Sequence, residues 1–373
     1  MSEKSASLTP VLIASSLKPV KDTRAWGKLG SSLQKTGIFQ VNFMGFSQNP
    51  QENCKDENLY PSFSSQPTLG KRVLSQVNFS RTLFKLRPKI LIVCTYEYLS
   101  LATFFKRILG YKLIYDVQEN YVKNLELNPT LSSATKRKTG KLIRLMEKVA
   151  KVDLYLLAEK CYAEEMPEKS PFLILENKYE GEIAPIAPFR IPRKNDYSFL
   201  ISGTLTPAFG TLEAIHWFRE ILKKFPAAEL KIIGHCPLAD FQTTLQKACE
   251  NTPQIQLQSS IFPVPHEQII AAYPTVDFAI LAYQNSAAVK DKIPTKLFES
   301  AALGLPVLVS PNPKWQEFIA PFSGGISIDF SDLDNALKHF EAALKLEYFT
   351  SLPGESVLWK SQHEKFITAI TSL

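Results

Sequence analysis

Cysteine and histidine are both scarce in this chain. Five cysteines are scattered over 373 residues with no pair at CxxC spacing, and the five histidines show no spacing typical of metal ligands. An odd number of widely separated cysteines predicts free thiols in a reducing compartment rather than a disulfide framework. We therefore expect no structural metal site, no disulfide bonds and a cytoplasmic location.

Long apolar segments are lacking as well. No run reaches the roughly 20 residues that a helix needs to cross a bilayer, and the first ten residues, MSEKSASLTP, lack the apolar core of a signal peptide. The formal charge of +7 favours an anionic partner, either a polyanionic substrate or an acidic lipid surface, but is too small to indicate nucleic acid. Any contact with a membrane is expected to be peripheral and on its cytoplasmic face.

Short apolar runs that alternate with helical patterns fill most of the chain. A chain of 373 residues exceeds the usual size of a single hydrophobic core, so two domains are expected. Apolar runs of this kind are typical of parallel strands covered on both faces. In the first half, strands are predicted at 10–15, 39–44, 89–95, 112–117, 152–158 and 172–176, and helices at 24–36, 98–109 and 133–151. The polar residues 46–70 predict a long loop.

A proline-rich stretch, residues 181–196, interrupts this alternation and is predicted to be a linker. The second series of strands is predicted at 197–203, 228–234, 254–258, 276–283, 305–310 and 324–330. Strands separated by helices imply right-handed βαβ units, and hence two doubly wound α/β domains. The predicted domains are 1–180 and 197–355, followed by a helix over 356–373 that could return to the first domain.

Two strand ends in the second domain have the features of a phosphate site. In one, Gly203 and Gly210 flank a turn that leads into a helix. In the other, a helix begins near Pro294 and carries Lys296 in its first turns. Ligands of open α/β sheets bind beyond the carboxyl ends of strands, where helix N-termini direct amides at anions. A phosphate at the second strand end would meet both backbone amides and an ammonium group.

Two carboxylates accompany this lysine. Glu299 could accept hydrogen bonds from a ribose diol, and Asp291 could accept them from sugar hydroxyls. The alternative for the same residues is an ordinary solvated helix start with an acidic residue before it, because short motifs of this kind recur by chance.

Several segments resemble one enzyme family. KIPTKLFESAALGLPVLVS (292–310) resembles the donor-binding segment of retaining glycosyltransferases of family 4, in which a pattern close to P-x-K-x-x-E-x-x-A-x-G-x-P-V recurs. Other segments resemble that family in the same order: KLIYDVQENY (112–121), VAKVDLYLLAEKCYAEE (149–165), LILENK (173–178), FLISGTLTPAFGTLEAIHWFREIL (199–222), LKIIGHCP (230–237) and AAYPTVDFAILAY (271–283).

The resemblance implies a fold and an activity. The fold is GT-B, in which two Rossmann-like doubly wound domains face each other across a cleft that holds the active site. The implied activity is the transfer of a sugar from a nucleoside diphosphate donor to a glycan or lipid-linked acceptor, with retention of configuration, as in polysaccharide biosynthesis. No metal or other cofactor is implied, because the nucleotide sugar is itself the donor substrate.

The resemblance also implies roles for individual residues. Glu299 matches the second acid of the family's E-x7-E motif, which binds ribose, and Asp291 stands where the family favours a Glu that holds the transferred sugar. The residues implied to be catalytic are Lys296, Asp291 and Gln118. Those implied to contact the nucleotide sugar, several through the backbone, are Glu299, Ile293, Pro294, Thr295, Gly203, Thr204, Gly234 and His235.

The chain departs from the family pattern at several of these places. Thr204 and Phe209 stand where many members carry a basic pair in the first glycine turn, so Lys296, assisted by Lys290 or Lys292, is left to neutralise the diphosphate. Gln118 replaces a frequent His. Asp22 and Arg24 lie in the segment that replaces a Gly-Gly turn, and Asp116 and Glu119 are further candidates in the first domain.

These departures leave two alternatives open. The first is another enzyme on the same scaffold, such as a nucleotide-sugar epimerase or a phosphorylase. The second is a non-catalytic partner subunit that has lost pyrophosphate binding.

The predicted helix around 136–151 has two readings. Five basic residues form one stripe, and Leu142, Leu145, Met146 and Val149 lie on another side. In the first reading the apolar side faces the core and the basic stripe faces solvent. In the second reading the helix contacts anionic lipid headgroups, which for a typical interfacial helix also requires exposed apolar residues.

Overall fold

The computed structural model describes residues 8–47, 58–62, 68–128 and 131–373. It divides into two compact units. The first consists of residues up to Glu180 together with Gln362–Leu373, and the second of Gly181–Ser361.

The first unit is built on a seven-stranded parallel sheet with the strand order β3-β2-β1-β4-β5-β6-β7. The strands are β1 (Thr9–Pro19), β2 (Phe39–Phe46), β3 (Leu59–Pro61), β4 (Ile90–Val93), β5 (Lys112–Val117), β6 (Leu154–Leu157) and β7 (Phe172–Ile174). Central strands such as β4 are buried along their whole length, because helices cover both faces of a parallel sheet. All six strands predicted in this half are present.

The helices of the first unit include one irregular segment. A π-helical turn over Thr23–Gly30 runs into a short helix, α1 (Ser31–Gln34), in the region where a single helix is predicted. The remaining helices are α2 (Leu69–Leu86), α3 (Leu99–Leu109), α4 (Tyr121–Glu126), α5 (Ser133–Val149), α6 (Tyr162–Glu165) and, at the end of the chain, α13 (His363–Thr371).

The loop predicted over residues 46–70 is wrong in part. Leu59–Pro61 form β3, which pairs in parallel with β2, and α2 already begins at Leu69. A strand of three residues is too short to show an apolar alternation. Residues 48–57 and 63–67 of the predicted loop lie outside the described residues.

The second unit is built on a six-stranded parallel sheet with the order β10-β9-β8-β11-β12-β13. Its strands are β8 (Ser198–Thr204), β9 (Glu229–His235), β10 (Ile255–Ser260), β11 (Phe278–Leu281), β12 (Val307–Val309) and β13 (Gly325–Ser327). Its helices are α7 (Thr211–Leu222), α8 (Ala239–Glu250), α9 (His266–Ala272), α10 (Thr295–Leu303), α11 (Pro313–Ile319) and α12 (Ala336–Ala343). The predicted strands of this half are present within a few residues of their expected bounds.

The segment predicted as a linker is part of the second unit. The Ala184 amide donates to the Ala302 carbonyl at 2.8 Å, and Phe189 forms an antiparallel bridge with Tyr348. Its prolines therefore shape a segment that packs on the unit rather than a free connection.

The helix predicted over 356–373 is shorter than expected. Two 3₁₀ turns, Glu355–Val357 and Trp359–Gln362, precede α13. The Gln362 side chain then forms two hydrogen bonds with the backbone of Glu176, donating at 2.7 Å and accepting at 2.9 Å. These bonds hold the start of α13 to the first unit.

Each sheet has the strand order of a Rossmann fold, with one point at which the order reverses. In the first unit the reversal lies between β1 and β4, and in the second between β8 and β11. Crevices at the carboxyl ends of strands at such a reversal are the usual ligand sites of doubly wound sheets. In the described parts of the chain, no helix has both the length and the apolarity needed to cross a bilayer.

Candidate functional site

A narrow pocket lies at the strand reversal of the second unit. Its walls come from the ends of β8 and β11, the turn before α7, and the first turn of α10. The lining residues are Ile201, Ser202, Thr204, Phe209, Gly210, Thr211, Ala214, Ile280, Ala282, Tyr283 and Lys296. The pocket therefore joins the two strand ends that the sequence marks as phosphate sites.

Three positions around this pocket require glycine, because neighbouring atoms leave no room for a side chain. Gly203 has φ +90°, and a Cβ atom there would lie 2.6 Å from Lys296 Nζ. Gly210 has φ +64°, and its Cβ would lie 1.7 Å from the Ala282 carbonyl oxygen. At Gly234 a Cβ would lie 2.1 Å from the Gly203 carbonyl oxygen. Side chains at these positions would separate the strand ends that form the pocket.

Lys296 is the one charged side chain among the described residues that line the pocket. It is the second residue of α10, and Pro294 occupies the position just before the helix. The Nζ atom donates to the Tyr283 hydroxyl at 3.0 Å and lies directly over Gly203. An ammonium group is therefore held beside the N-terminus of α10, where the helix dipole already favours an anion.

Aromatic rings form another wall of the pocket. The ring of Phe209 stacks on that of Tyr283 with centroids 4.5 Å apart. Nearby, Thr211 begins α7, and its buried hydroxyl oxygen has no hydrogen-bond partner. Sequence reasoning missed Tyr283 and Thr211, although Thr211 at a helix start after a glycine is a recognisable signal.

Glu299 is buried on the inner side of α10, with 4% of its surface exposed. The Tyr273 hydroxyl donates to Oε2 at 2.9 Å, and His266 Nε2 lies 2.7 Å from Oε1. Burial, with the Glu299 carboxylate next, raises the pKa of Tyr273 well above its usual value, so the phenol remains a donor. His266 and Tyr273 escaped the sequence analysis because α9 brings them to Glu299 from distant positions.

Asp291 lies in the loop before α10 and forms an ion pair with Lys314 at 2.9 Å. Residues at the start of α11 hold the same loop: Asn312 donates to the Lys290 carbonyl at 3.0 Å, and Trp315 Nε1 donates to that of Lys292 at 2.8 Å. Lys290 and Lys292 do not line the pocket. The loop is therefore positioned by α11, which the sequence analysis did not connect with the site.

His235 ends β9, one strand away from the pocket. Its Nε2 lies 3.1 Å from the Ile261 carbonyl oxygen, and its own carbonyl accepts from the Leu205 amide at 2.8 Å. Gly234 and His235 therefore support the turn that follows β8, and in the sheet register they pair with Gly203 and Thr204.

In the first unit, Arg24 and Asp116 form a buried ion pair. Arg24 Nη2 lies 2.8 Å from Asp116 Oδ1, Nε donates to both carboxylate oxygens at 3.0 Å, and Nη1 donates to the Leu175 carbonyl at 2.8 Å. Arg24 is 2% exposed and Asp116 is 0% exposed. Asp22 accepts from the amides of Arg24 and Ala25 and caps the π-helical turn. These contacts position the segment after β1, and the ligand role expected for Asp22 and Arg24 stays a prediction.

Gln118 and Glu119 follow β5, which lies beside β4, one strand away from the strand reversal of this sheet. Gln118 Nε2 donates to Asp116 Oδ2 at 2.9 Å, and Lys18 Nζ donates to Glu119 Oε1 at 2.9 Å. The Glu119 carboxylate is the main cause of a raised pKa at Lys18. Cys94 is buried nearby, and burial raises the pKa of its thiol well above the usual value, which favours the protonated thiol over the thiolate.

Metal ligands do not cluster in the described parts of the chain, where no group of three or more His, Cys, Asp or Glu side chains could hold an ion. Two of the acidic candidates instead form individual ion pairs, Asp291 with Lys314 and Asp116 with Arg24.

Comparison with known proteins places this geometry in context. Residues 186–355 match the family model described as glycosyl transferases group 1. Comparison with curated protein sequences gives no match. The chain is similar to the solved structure of sucrose-phosphate synthase from Thermosynechococcus elongatus, with 10% identity, a TM-score of 0.67 and 98% of each chain covered.

Two further solved structures are similar over nearly the whole chain. Anabaena HepE in complex with UDP-glucose is 11% identical, with a TM-score of 0.61 and coverage of 98% of this chain and 100% of that one. The lipopolysaccharide outer core galactosyltransferase WaaB, in its apo form, is 14% identical, with a TM-score of 0.59 and coverage of 97% and 99%. The chain thus has the two Rossmann-like sheets of the GT-B fold, and the residues that match the glycosyl transferases group 1 model all lie in its second unit.

Proposed function

We propose that this chain is a glycosyltransferase that moves a sugar from a nucleoside diphosphate donor to a glycan or lipid-linked acceptor, with retention of configuration. The observation that supports this most is the meeting of Lys296 Nζ, the bare backbone of Gly203 and the start of α7 in one pocket. The group 1 domain covers this pocket, and one structural relative has been solved with UDP-glucose.

The diphosphate of the donor is proposed to bind beside Lys296. Because the amides at the starts of α7 and α10 and the ammonium group are all donors, they can stabilise the charge that develops on the departing phosphate. The Thr211 hydroxyl, which is buried without a partner, and the Tyr283 hydroxyl are additional donors. We propose that these donors together, rather than a metal ion, stabilise the charge of the diphosphate.

The sugar and the ribose are proposed to bind along the loop and first turns of α10. Asp291 and the backbone of Ile293 to Thr295 would contact the transferred sugar. Glu299 would accept from the ribose diol, but its two oxygens already accept from His266 and Tyr273. Since the side chain of His266 is 31% exposed and that of Tyr273 is buried, we propose that ribose replaces the His266 contact.

The reaction consists of one displacement at the anomeric carbon. The bond from this carbon to the phosphate oxygen breaks, and a bond to an acceptor hydroxyl oxygen forms on the same face of the sugar. The hydroxyl proton passes to the departing phosphate, so that no protein base is needed and the nucleoside diphosphate leaves. Gln118, whose side-chain amide donates to Asp116, is proposed as a further catalytic residue.

The test combines calorimetry with product analysis. The unsubstituted chain is titrated with a panel of nucleoside diphosphates and incubated with nucleotide sugars and candidate acceptors, and the anomeric configuration of the product is read by NMR. Lys296→Met is expected to weaken diphosphate binding by about 10- to 100-fold, the cost of one hydrogen bond to a charged group. Lys247→Met is the matched control, because Lys247 is an exposed lysine of the second unit that does not line the pocket. Equal effects of both variants would contradict the proposed binding mode, and an inverted product would contradict retention.

A non-catalytic partner subunit is the second candidate function. Thr204 and Phe209 occupy the positions of the family's basic pair, and Phe209 stacks on Tyr283 within the pocket. Binding of no nucleoside diphosphate in the panel would support this candidate. An epimerase would instead convert a nucleotide sugar when no acceptor is present, which the same incubations detect.

A further inference from the structure

Three helices of the first unit lie on the same face of its sheet. α2 connects β3 to β4, α3 connects β4 to β5, and α5, with α4, connects β5 to β6. All three connections advance across the sheet in the same direction. Right-handed crossovers that advance in the same direction place their helices on the same face, and α3 packs against both α2 and α5.

This layer exposes an unusual number of apolar side chains. Sixteen large apolar side chains are exposed in the described parts of the chain, and nine of them belong to these three helices. They are Val73, Leu74, Val77 and Phe84 on α2, Phe104 and Ile108 on α3, and Leu142, Leu145 and Val149 on α5. Single exposed apolar residues need no explanation, but a cluster of this kind marks a contact surface.

Helix α5 shows how the surface is built. Gly140 and Ile143 are its buried residues and face the unit. Leu142, Leu145 and Val149 are 48%, 58% and 46% exposed, and the helical periodicity places them on the outer side. The reading in which the apolar side faces the core is therefore wrong for these three residues, although Met146 does pack against the core. The exposed apolar residues required by the alternative are present.

The same three helices are strongly basic. They contain twelve Lys or Arg residues and one acid, Glu147, so their formal charge of +11 exceeds the +7 of the whole chain. Glu147 is paired with Lys169 at 2.9 Å and with the Tyr115 hydroxyl at 3.0 Å. On α5, Arg137, Arg144 and Lys148 form an exposed stripe beside the apolar one.

We propose that the outer side of α2, α3 and α5, here called the three-helix face, docks on the surface of an anionic lipid bilayer. Apolar side chains flanked by lysine and arginine fit the headgroup boundary, because the apolar groups enter it while the long basic side chains reach the phosphates. The core of a protein–protein interface is instead depleted of charged residues, and lysine is rare there. The combination of basic and exposed apolar side chains therefore fits a bilayer with acidic lipids better than a protein partner.

This docking is independent of the proposed sugar transfer, since the three-helix face shares no residue with the pocket of the second unit. If the acceptor is lipid-linked, docking on a bilayer would bring the chain to the membrane that holds its acceptor. Calorimetry with nucleoside diphosphates tests the pocket, and lipid vesicles test the three-helix face, so one proposal can fail while the other stands.

The experiment is co-sedimentation of the full chain with vesicles of phosphatidylcholine alone and of phosphatidylcholine with phosphatidylglycerol. We expect the chain to bind the anionic vesicles, and we expect this binding to weaken as salt is added. Replacing Lys141, Arg144 and Lys148 together by Gln is expected to weaken it by about 100-fold, at about five-fold for each basic residue. The matched control replaces Lys247, Lys338 and Lys345, exposed lysines of the second unit, and is expected to leave binding unchanged.

A second pair of variants tests the apolar component. The double variant Leu142→Ser, Leu145→Ser is expected to bind vesicles less strongly even at low salt. The control is the double variant Leu346→Ser, Leu352→Ser, because Leu346 and Leu352 are exposed in the second unit. This control is expected to bind vesicles as the unsubstituted chain does. Circular dichroism confirms that each variant is folded. The proposal is overturned if the unsubstituted chain binds neither kind of vesicle, or if test and control variants lose binding equally. If the chain binds no vesicles but self-associates, and Leu145→Ser abolishes that self-association, the three-helix face binds a second copy of this chain instead of a bilayer.

Discussion

Individual residues at the pocket are constrained by contacts from distant parts of the second unit. Lys296 rests on Gly203, and Gly203 in turn lies against Gly234. Glu299 is bonded by two residues of the α9 region. The identity of each residue therefore depends on partners that sequence spacing does not reveal.

Gly203→Ala is predicted to destabilise the protein by about 1–3 kcal/mol, because a non-glycine residue is strained at this backbone conformation. The new Cβ would also lie 2.6 Å from Lys296 Nζ and displace it, so nucleoside diphosphate affinity should fall as well. Chemical denaturation and calorimetry measure the two effects. Gly27→Ala is the control, since a Cβ there meets nothing within 4 Å; equal loss of stability in both variants would refute the argument.

Tyr273→Phe is predicted to cost about 1–3 kcal/mol at neutral pH, because a buried carboxylate loses a donor. A pH dependence follows too. Burial and Glu299 raise the Tyr273 pKa in the folded state, so the unfolded chain releases this proton first and stability falls as pH rises above the ordinary value of 10.0. The variant should show a shallower alkaline decline in denaturation experiments, and an unchanged decline would contradict the assignment.

At the scale of elements, polar contacts hold two short irregular segments in place. The π-helical turn over Thr23–Gly30 is capped by Asp22 and tied to β5 through Arg24 and Asp116. The loop before α10 is held by the first residues of α11. Both connections join elements at the carboxyl end of a parallel sheet, where polar groups converge.

Arg24→Met is predicted to destabilise the protein by about 3–5 kcal/mol, because it leaves the Asp116 carboxylate buried without its cation. The double variant Arg24→Met, Asp116→Leu should recover much of this loss, since a well-packed apolar pair can replace a buried ion pair. Urea denaturation of both single variants and the double variant gives the coupling energy. A double variant less stable than Arg24→Met would show that the charge is not the cause.

At the scale of the whole molecule, each unit has its own sheet and its own buried core. The two proposed binding surfaces also lie in different units. The pocket with Lys296 belongs to the second unit, and the three-helix face belongs to the first.

Nucleoside diphosphate binding is therefore predicted to protect one part of the chain from hydrogen exchange. Amides in the turn between β8 and α7 and in the first turn of α10 should exchange more slowly, while those on the three-helix face should not change. Mass-spectrometric exchange with and without the ligand measures this, and Lys296→Met should abolish the protection. Protection confined to the first unit would refute the location of the donor site.

The strands were predictable because buried parallel strands are short, continuously apolar runs that can be read locally. All twelve predicted strands are present, and the one missed, β3, has three residues and pairs only at the sheet edge. The candidate site was predictable in part for the same reason, since Lys296 and its glycine turn each follow such a run. Partners such as His266, Tyr283 and Lys314 were not predictable, because each reaches the site from another element.

By itself the sequence determined that the chain forms two doubly wound parallel sheets, because apolar periodicity and right-handed crossovers are local properties of the chain. It also indicated which strand ends lead into a glycine turn or into a helix start that carries a lysine. Only the tertiary structure decided that Glu299 is buried against two partners and that Arg24 forms an internal ion pair with Asp116. It also decided that Leu142, Leu145 and Val149 of α5 face outwards. The physical reason is that burial and pairing depend on which elements meet in space, and a helix with two candidate faces does not itself specify which one the fold covers.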